Sequence, residues 1–224
     1  MFVARVTFIR RLKSTHWRVA LSLLLTAIAA PMAHAAPTLT VNVAASRHAI
    51  SDDIYGMNFT DEALAADLRL PVRRWGGNAT TRYNWRVGMT NLGNDYYFQN
   101  FPDQLGGPAV LNGSKSDLFV EQDRRTQTRT LMTLPLIGWT AKSTSPRSHP
   151  LDCGFKVSLY GAQQSVDQYD ANCGNGVKPN GSTNVTGNNA TDTSEAITQT
   201  FVSDWIAHFI SRYGNAASGG VAYY

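Results

Sequence analysis

The segment Trp75-Gly76-Gly77-Asn78, followed by Thr81-Arg82-Tyr83-Asn84-Trp85, gathers side chains suited to holding a sugar. A pyranose ring presents a face of C–H groups rimmed by hydroxyls. Trp75, Tyr83 and Trp85 offer flat apolar surfaces for the face, while Asn78, Arg82 and Asn84 offer directional hydrogen bonds for the rim. Two glycines at a strand end permit close backbone approach or a positive φ. A plainer reading makes the tryptophans core and Arg82 a structural or surface residue. Trp139, just beyond the apolar run 130–137, is a second platform candidate. It faces the same side as Trp75 if the strands are parallel, with core packing as its alternative. Arg73 and Arg74 occupy the strand that delivers Trp75, and one must point inward if both faces are covered. A buried guanidinium needs an acidic or hydrogen-bonding partner. Arg73 is then a candidate for orienting a carboxylate, with the choice between the two arginines open.

Hydrolysis of a glycosidic bond usually needs two carboxylates facing each other across it. The only glutamates are Glu62, Glu121 and Glu195. The first two fall on outer helices and the third in or beside a long loop, so none is expected as part of a catalytic pair. His48, His149 and His208 are isolated, and His208, bordering an apolar helix face, reads as structural. The chain has no phosphate-binding glycine loop with its lysine and no G-x-S-x-G nucleophile turn. Asp152, Asp167, Asp170 and Asp192 are raw material for an oxygen-rich calcium site, without an identifying spacing.

The elements that must position these residues alternate. Leu39–Val43 has period two and reads as a strand. Ile54–Phe59 reads as a buried strand, Thr60-Asp61-Glu62 as a helix start with the hydroxyl as cap, and Glu62–Leu68 as the helix before Pro71. Val72–Trp75 is a short strand, 116–126 a helix with a capping box at Ser114 and Asp117, and 130–137 an apolar strand. Phe201, Val202, Trp205, Ile206, Phe209, Ile210 and Tyr213 share one face of a helix that Gly214 stops. Val221–Tyr224 begins a further strand. The order β-α-β-α-β-α-β predicts an α/β fold of parallel strands covered by helices. Residues 77–113 and 138–197 are long polar connections leaving the C-terminal ends of strands, where an α/β barrel builds its site. The aromatic residues of the first and the cysteines of the second argue against disorder.

Residues 1–35 read as an export signal: five basic residues and no acidic one, the 12-residue apolar run Val19–Ala30, then Ala33-His34-Ala35. The run is shorter than the roughly 20 residues that span a bilayer. The other 189 residues carry 15 Lys/Arg against 16 Asp/Glu, so the basic balance belongs to the leader and gives no support to a polyanion-binding surface. An exported protein is expected to join Cys153 to Cys173 as a disulfide, worth about 3 kcal/mol.

Ile54–Phe59, Arg73–Trp85, Thr130–Thr133 with Pro135–Trp139, and Cys173–Pro179 closely resemble the catalytic module of glycoside hydrolase family 44, over about residues 46–224. The resemblance implies an incomplete (β/α)8 TIM-like barrel, about its first three and a half βα units, over residues 51–224. Residues 36–50 would supply a strand of an accessory β-sandwich. It implies a secreted, extracellular bacterial endo-acting retaining β-1,4-glucan hydrolase of cellulase or xyloglucanase type. Such an enzyme is expected to be monomeric when full length and to need no cofactor for catalysis, with the loop aspartates leaving room for a structural calcium. Its partner would be β-1,4-glucan or xyloglucan, with no nucleic acid and no membrane after signal cleavage. Trp75, Asn78, Arg82, Trp85 and Trp139 become substrate-contact candidates, with Arg73 and Arg74 behind them. The family's acid/base glutamate follows the fourth barrel strand, which Val221–Tyr224 resembles, and its nucleophile lies farther on. The 224 residues alone are therefore expected to be inactive, with no catalytic residue among them. A different barrel polysaccharidase, xylanase- or arabinanase-like, and a non-catalytic carbohydrate-binding remnant are the competing readings.

Overall fold

The structure is a computed structural model and describes residues 39–107 and 114–224. The expected leader, 1–35, lies outside the described residues. Contacts divide the chain into residues 1–49 and 50–224. In the first unit, residues 39–49 form turns and no strand. The strand expected over Leu39–Val43 is not formed. An alternating segment needs a neighbour to take its backbone bonds, none pairs with it among the described residues, and Leu39, Val41 and Val43 stand exposed.

The second unit opens with a 3-10 turn, Asp52–Tyr55, and strand β1, Met57–Asn58. The buried strand expected over 54–59 shrinks to these two residues. Both are exposed, since β1 pairs on one side only. Helix α1, Glu62–Leu68, is capped by the Asp61 carboxylate, which accepts from Leu64 N at 2.9 Å, rather than by Thr60. Strand β2 is Val72–Trp75, and a single helical turn, α2, covers Asn78–Thr81. Gly77 between them has φ +103°, a conformation that glycine alone adopts easily.

Strands β3, Met89–Asn91, and β4, Asn100–Pro102, pair antiparallel within the first insertion. Helix α3, Lys115–Thr126, starts as expected: Ser114 Oγ accepts from Asp117 N at 3.4 Å and donates to Asp117 Oδ2 at 2.9 Å. Strand β5 is Arg129–Met132 and stops short of the expected 137. Beyond it the chain turns at Leu136–Gly138, and Pro135 has no amide to donate to a ladder. The second insertion holds strand β6, Trp139–Ala141, the short helix α4, Val157–Tyr160, and strand β7, Ser194–Ala196, antiparallel to β6. Helix α5, Gln199–Tyr213, ends at Gly214.

Strands β1, β2 and β5 are parallel in that order, with Asn58 beside Arg74 and Arg74 beside Leu131. The Leu131–Tyr223 bridge begins a fourth parallel strand: Ala222 N and Tyr223 N donate to Thr130 O at 3.0 and 3.1 Å, and Met132 N donates to Tyr223 O at 2.8 Å. Three β-α units and the start of a fourth strand are the partial barrel predicted from sequence. One sheet face packs on helices α3 and α5 through Trp75, Phe119, Val120, Met132, Trp205 and Phe209. Burying each such aromatic is worth about 2–3 kcal/mol. The opposite face carries the row Asn58, Arg74, Leu131 and Tyr223, none of them buried. Among the described residues no helix is long and apolar enough to cross a membrane.

Candidate functional site

The C-terminal ends of β1 and β2 open onto a groove of about 600 Å³. Phe59, Trp75, Tyr83, Tyr96 and Phe101 supply its aromatic wall, and Asp103 and Lys115 its polar edge. A second cavity of about 380 Å³ adjoins it, shares Tyr96, Phe101 and Leu105, and adds His149, Asp167 and Tyr169. The first insertion builds most of the wall because β3 and β4 turn its aromatics back over the strand ends. Tyr83 Oη donates to Asp103 Oδ2, which also accepts from Lys115 N at 2.8 Å, so the groove edge is tied to the start of α3. Burial, and then the Asp103 charge, push the Tyr83 phenol well above its ordinary pKa. A third cavity, about 340 Å³, lies among Arg124, Thr128, Arg129 and Gly220 at the N-terminal strand ends, the end that serves stability in this architecture.

Of the five proposed substrate contacts, only Trp75 lines this groove, and it is 4% exposed, wedged between Phe59, Tyr83 and Phe119. Trp85 is turned away from it. Its indole lies parallel to Trp205 with centroids 6.3 Å apart and donates to Phe201 O at 3.2 Å, so it packs, half-buried, onto helix α5. Asn78 donates to Asp95 Oδ2 at 2.6 Å on the surface. Trp139 is half-buried on β6, opposite Ala196, in an antiparallel ribbon and not in the parallel sheet. Its expected shared face with Trp75 depended on parallel strands and does not arise.

Arg82 joins the two insertions. Its guanidinium donates to Asn91 Oδ1 at 2.5 Å and Ser194 Oγ at 3.2 Å, and burial lowers its pKa. Asn84 is buried and commits its amide to Ala141 O at 2.8 Å and Glu195 Oε1 at 3.0 Å. The bonds to Ser194, Ala141 and Glu195 tie the first insertion to the second.

The strand arginines separate cleanly. Arg73 faces the helices, 3.2 Å from Asp123 Oδ1, with a second bond to Gln122 and its guanidinium 4.1 Å from the Phe119 ring centroid. Among the described residues its carboxylate partner is Asp123 on helix α3. Arg74 is on the opposite face and reaches Asn58 Oδ1 at 3.4 Å.

The glutamates are occupied. Hydrogen bonding from Arg125 holds the Glu62 carboxyl below its usual range, and Arg212 does the same to Glu121. Glu195 accepts from Asn84 and from the Ser143 amide and hydroxyl. His208 is structural as expected, with Nε2 2.7 Å from Asp117 Oδ1. Cys153 and Cys173 are joined as a disulfide, Cα atoms 5.7 Å apart. Among the described residues no three His, Cys, Asp or Glu side chains converge as metal ligands. Asp152 lies against Lys142 and Lys156, and Asp192 accepts from Tyr160.

Sequence reasoning missed Phe59, Tyr96 and Phe101 as groove residues and Tyr169 as a residue of the adjoining cavity. For Tyr96 and Phe101 the available signal was the clustering of aromatics in the first insertion, which argued for order but was not followed to a cavity.

Residues 89–224 match the profile of glycoside hydrolase family 44. The crystal structure of CelM2, a bifunctional glucanase-xylanase from a metagenome library, is 37% identical with a TM-score of 0.72, covering 80% of this chain and 33% of that one. The beta-mannanase/endoglucanase A of Caldicellulosiruptor saccharolyticus is 31% identical over 111 residues, 46% of this chain and 8% of that protein. Endoglucanase A of Paenibacillus lautus is 28% identical over 121 residues, 51% of this chain and 16% of that protein. The chain thus spans a third of the similar structure and smaller shares of the two curated relatives.

Proposed function

Because this chain belongs to glycoside hydrolase family 44, we propose that it forms part of an endo-acting, retaining β-1,4-glucan hydrolase of cellulase or xyloglucanase type. The family match over residues 89–224 carries this reading. The partial barrel supports it, since the aromatic groove stands at the C-terminal strand ends, where barrel enzymes place their chemistry. The reaction is double displacement: one carboxylate attacks the anomeric carbon, and another protonates the leaving oxygen and then activates water. Glu62, Glu121 and Glu195 are assigned neither role, since arginine pairs or a β-ribbon hold each of them. The part of residues 50–224 is to hold the strand ends and wall the cleft. The Cys153–Cys173 disulfide supports export to an oxidising compartment.

The relatives' names include xylanase and mannanase beside glucanase, so a broader polysaccharidase is the second reading. Reducing ends released from β-glucan, xyloglucan, xylan, mannan and arabinan by the intact protein test both. Release from β-glucan or xyloglucan with retained anomeric configuration is expected. Release from xylan, mannan or arabinan alone selects the second reading, and binding without release from any of them overturns the enzyme.

A further inference from the structure

Asp53, in the turn before β1, reaches across the sheet to its far side. Its Oδ2 accepts from Arg129 Nη1 at the start of β5 and from Tyr223 Oη on the fourth strand, 170 residues away in the chain. The Arg129 guanidinium lies 5.5 Å from the Tyr223 ring centroid. The three groups lie on the face opposite the helices, in the same direction as Leu131, whose neighbour across the ladder is Tyr223. A polar chord therefore joins the first edge of the sheet to the fourth strand, passing over β2.

Three backbone bonds tie the start of the fourth strand to β5: Ala222 N and Tyr223 N to Thr130 O, and Met132 N to Tyr223 O, while Val221 is buried in the core. A slip by one residue would turn Tyr223 to the helix side. A slip by two would keep the face but move the phenol by about 6.6 Å. Either slip takes the hydroxyl out of reach of Asp53, so the chord is satisfied in one register. The hydrogen bonds from Tyr223 and Arg129 also hold the Asp53 carboxyl below its usual range, which keeps it an acceptor.

We propose that Asp53 is a positioning residue: by holding Tyr223 and Arg129 together it sets the register of the fourth parallel strand. It thereby sets the height of the groups that stand at that strand's C-terminal end. In a barrel enzyme those ends carry the chemistry, so this consequence rests on the glucanase reading, whereas the clamp itself does not.

The test uses Asp53→Asn, Asp53→Glu and Tyr223→Phe in the intact protein, with two readouts. Hydrogen exchange at the amides of Met132, Ala222 and Tyr223 should quicken about tenfold in Asp53→Asn and Tyr223→Phe, as expected for losing a hydrogen bond to a charged group. The amides of Phe59 and Thr133, which bond to β2 carbonyls, should keep their rates. On β-glucan, kcat should fall about tenfold at unchanged KM in the same two variants. Asp53→Glu, which retains the carboxylate, should restore most of it. Unchanged exchange at the three amides, or equal acceleration at all five, overturns the clamp. Faster exchange with unaltered kcat overturns its positioning role. A wild-type protein without glucanase activity removes the function proposed above and leaves the exchange rates to decide the clamp.

Discussion

The Arg73 guanidinium lies 3.2 Å from the Asp123 carboxylate with the two side chains 2% and 1% exposed, which makes this pair the polar bond between strand β2 and helix α3. Thr130 Oγ1 donates to the other Asp123 oxygen at 2.6 Å, and Gln122 accepts from Arg73. Removing one member strands the other in the core. Arg73→Ala should destabilise the protein by about 3–5 kcal/mol, read from urea midpoints. Replacing both members by apolar residues of similar volume should recover most of that loss.

The same pair predicts a pH effect. Burial pushes the Asp123 carboxyl up to about 7, against the opposing hydrogen bond from Thr130 and the charge of Arg73. The folded state therefore binds this proton more tightly than the unfolded chain. Its contribution to stability is full below the unfolded pKa, near 4, and is lost as pH rises through about 7. Unfolding free energies measured from pH 4 to 8 should fall for this reason in the wild type, and Asp123→Asn should flatten that part of the profile.

Trp85 should act through packing. With its ring against Trp205 and its indole N–H on Phe201 O, Trp85→Ala should cost about 3 kcal/mol. Thermal unfolding of the intact protein checks this. An unchanged midpoint with weakened glucan binding would restore the sugar-platform reading.

Tyr96 should behave in the opposite way. It is half-exposed in the groove wall and packs edge-on against Phe101 at 5.1 Å. Tyr96→Ala should shift stability by less than about 0.5 kcal/mol while weakening retention of the intact protein in glucan-containing gels.

The disulfide encloses a separation of 20 residues. Replacing Cys153 and Cys173 by serine should cost about 3 kcal/mol through the freed unfolded chain. Urea curves with and without reductant should differ for the wild type and coincide for the double variant.

Local signals were legible from sequence. The seven apolar residues of helix α5, the Ser114 cap, the Gly214 stop and the β-α order needed only neighbours within a few positions. The cysteine pair needed only its count and an oxidising compartment. What failed depended on distant partners. Trp85 reads as an open platform until Trp205, 120 residues on, covers it. Arg73 and Arg74 cannot be told apart until Asp123 appears on the helix side. Leu39–Val43 alternates like a strand, but alternation supplies no ladder. Trp139 followed an apolar run whose continuation as a strand ended at Met132, and the chain had reversed by the time it reached β6.

The ties between the two insertions bear on how such a protein can be remodelled. Arg82 and Asn84 of the first hold Ser194, Ala141 and Glu195 of the second, and Asn100 reaches Ser145 and the Thr193 carbonyl. These bonds are buried or partly so, and a graft that exchanged one insertion would leave donors and acceptors of the other without partners. The two long connections are a single exchangeable cassette. Transplanting either alone between relatives should misfold the strand-end surface, while moving both together carries their shared polar interior intact.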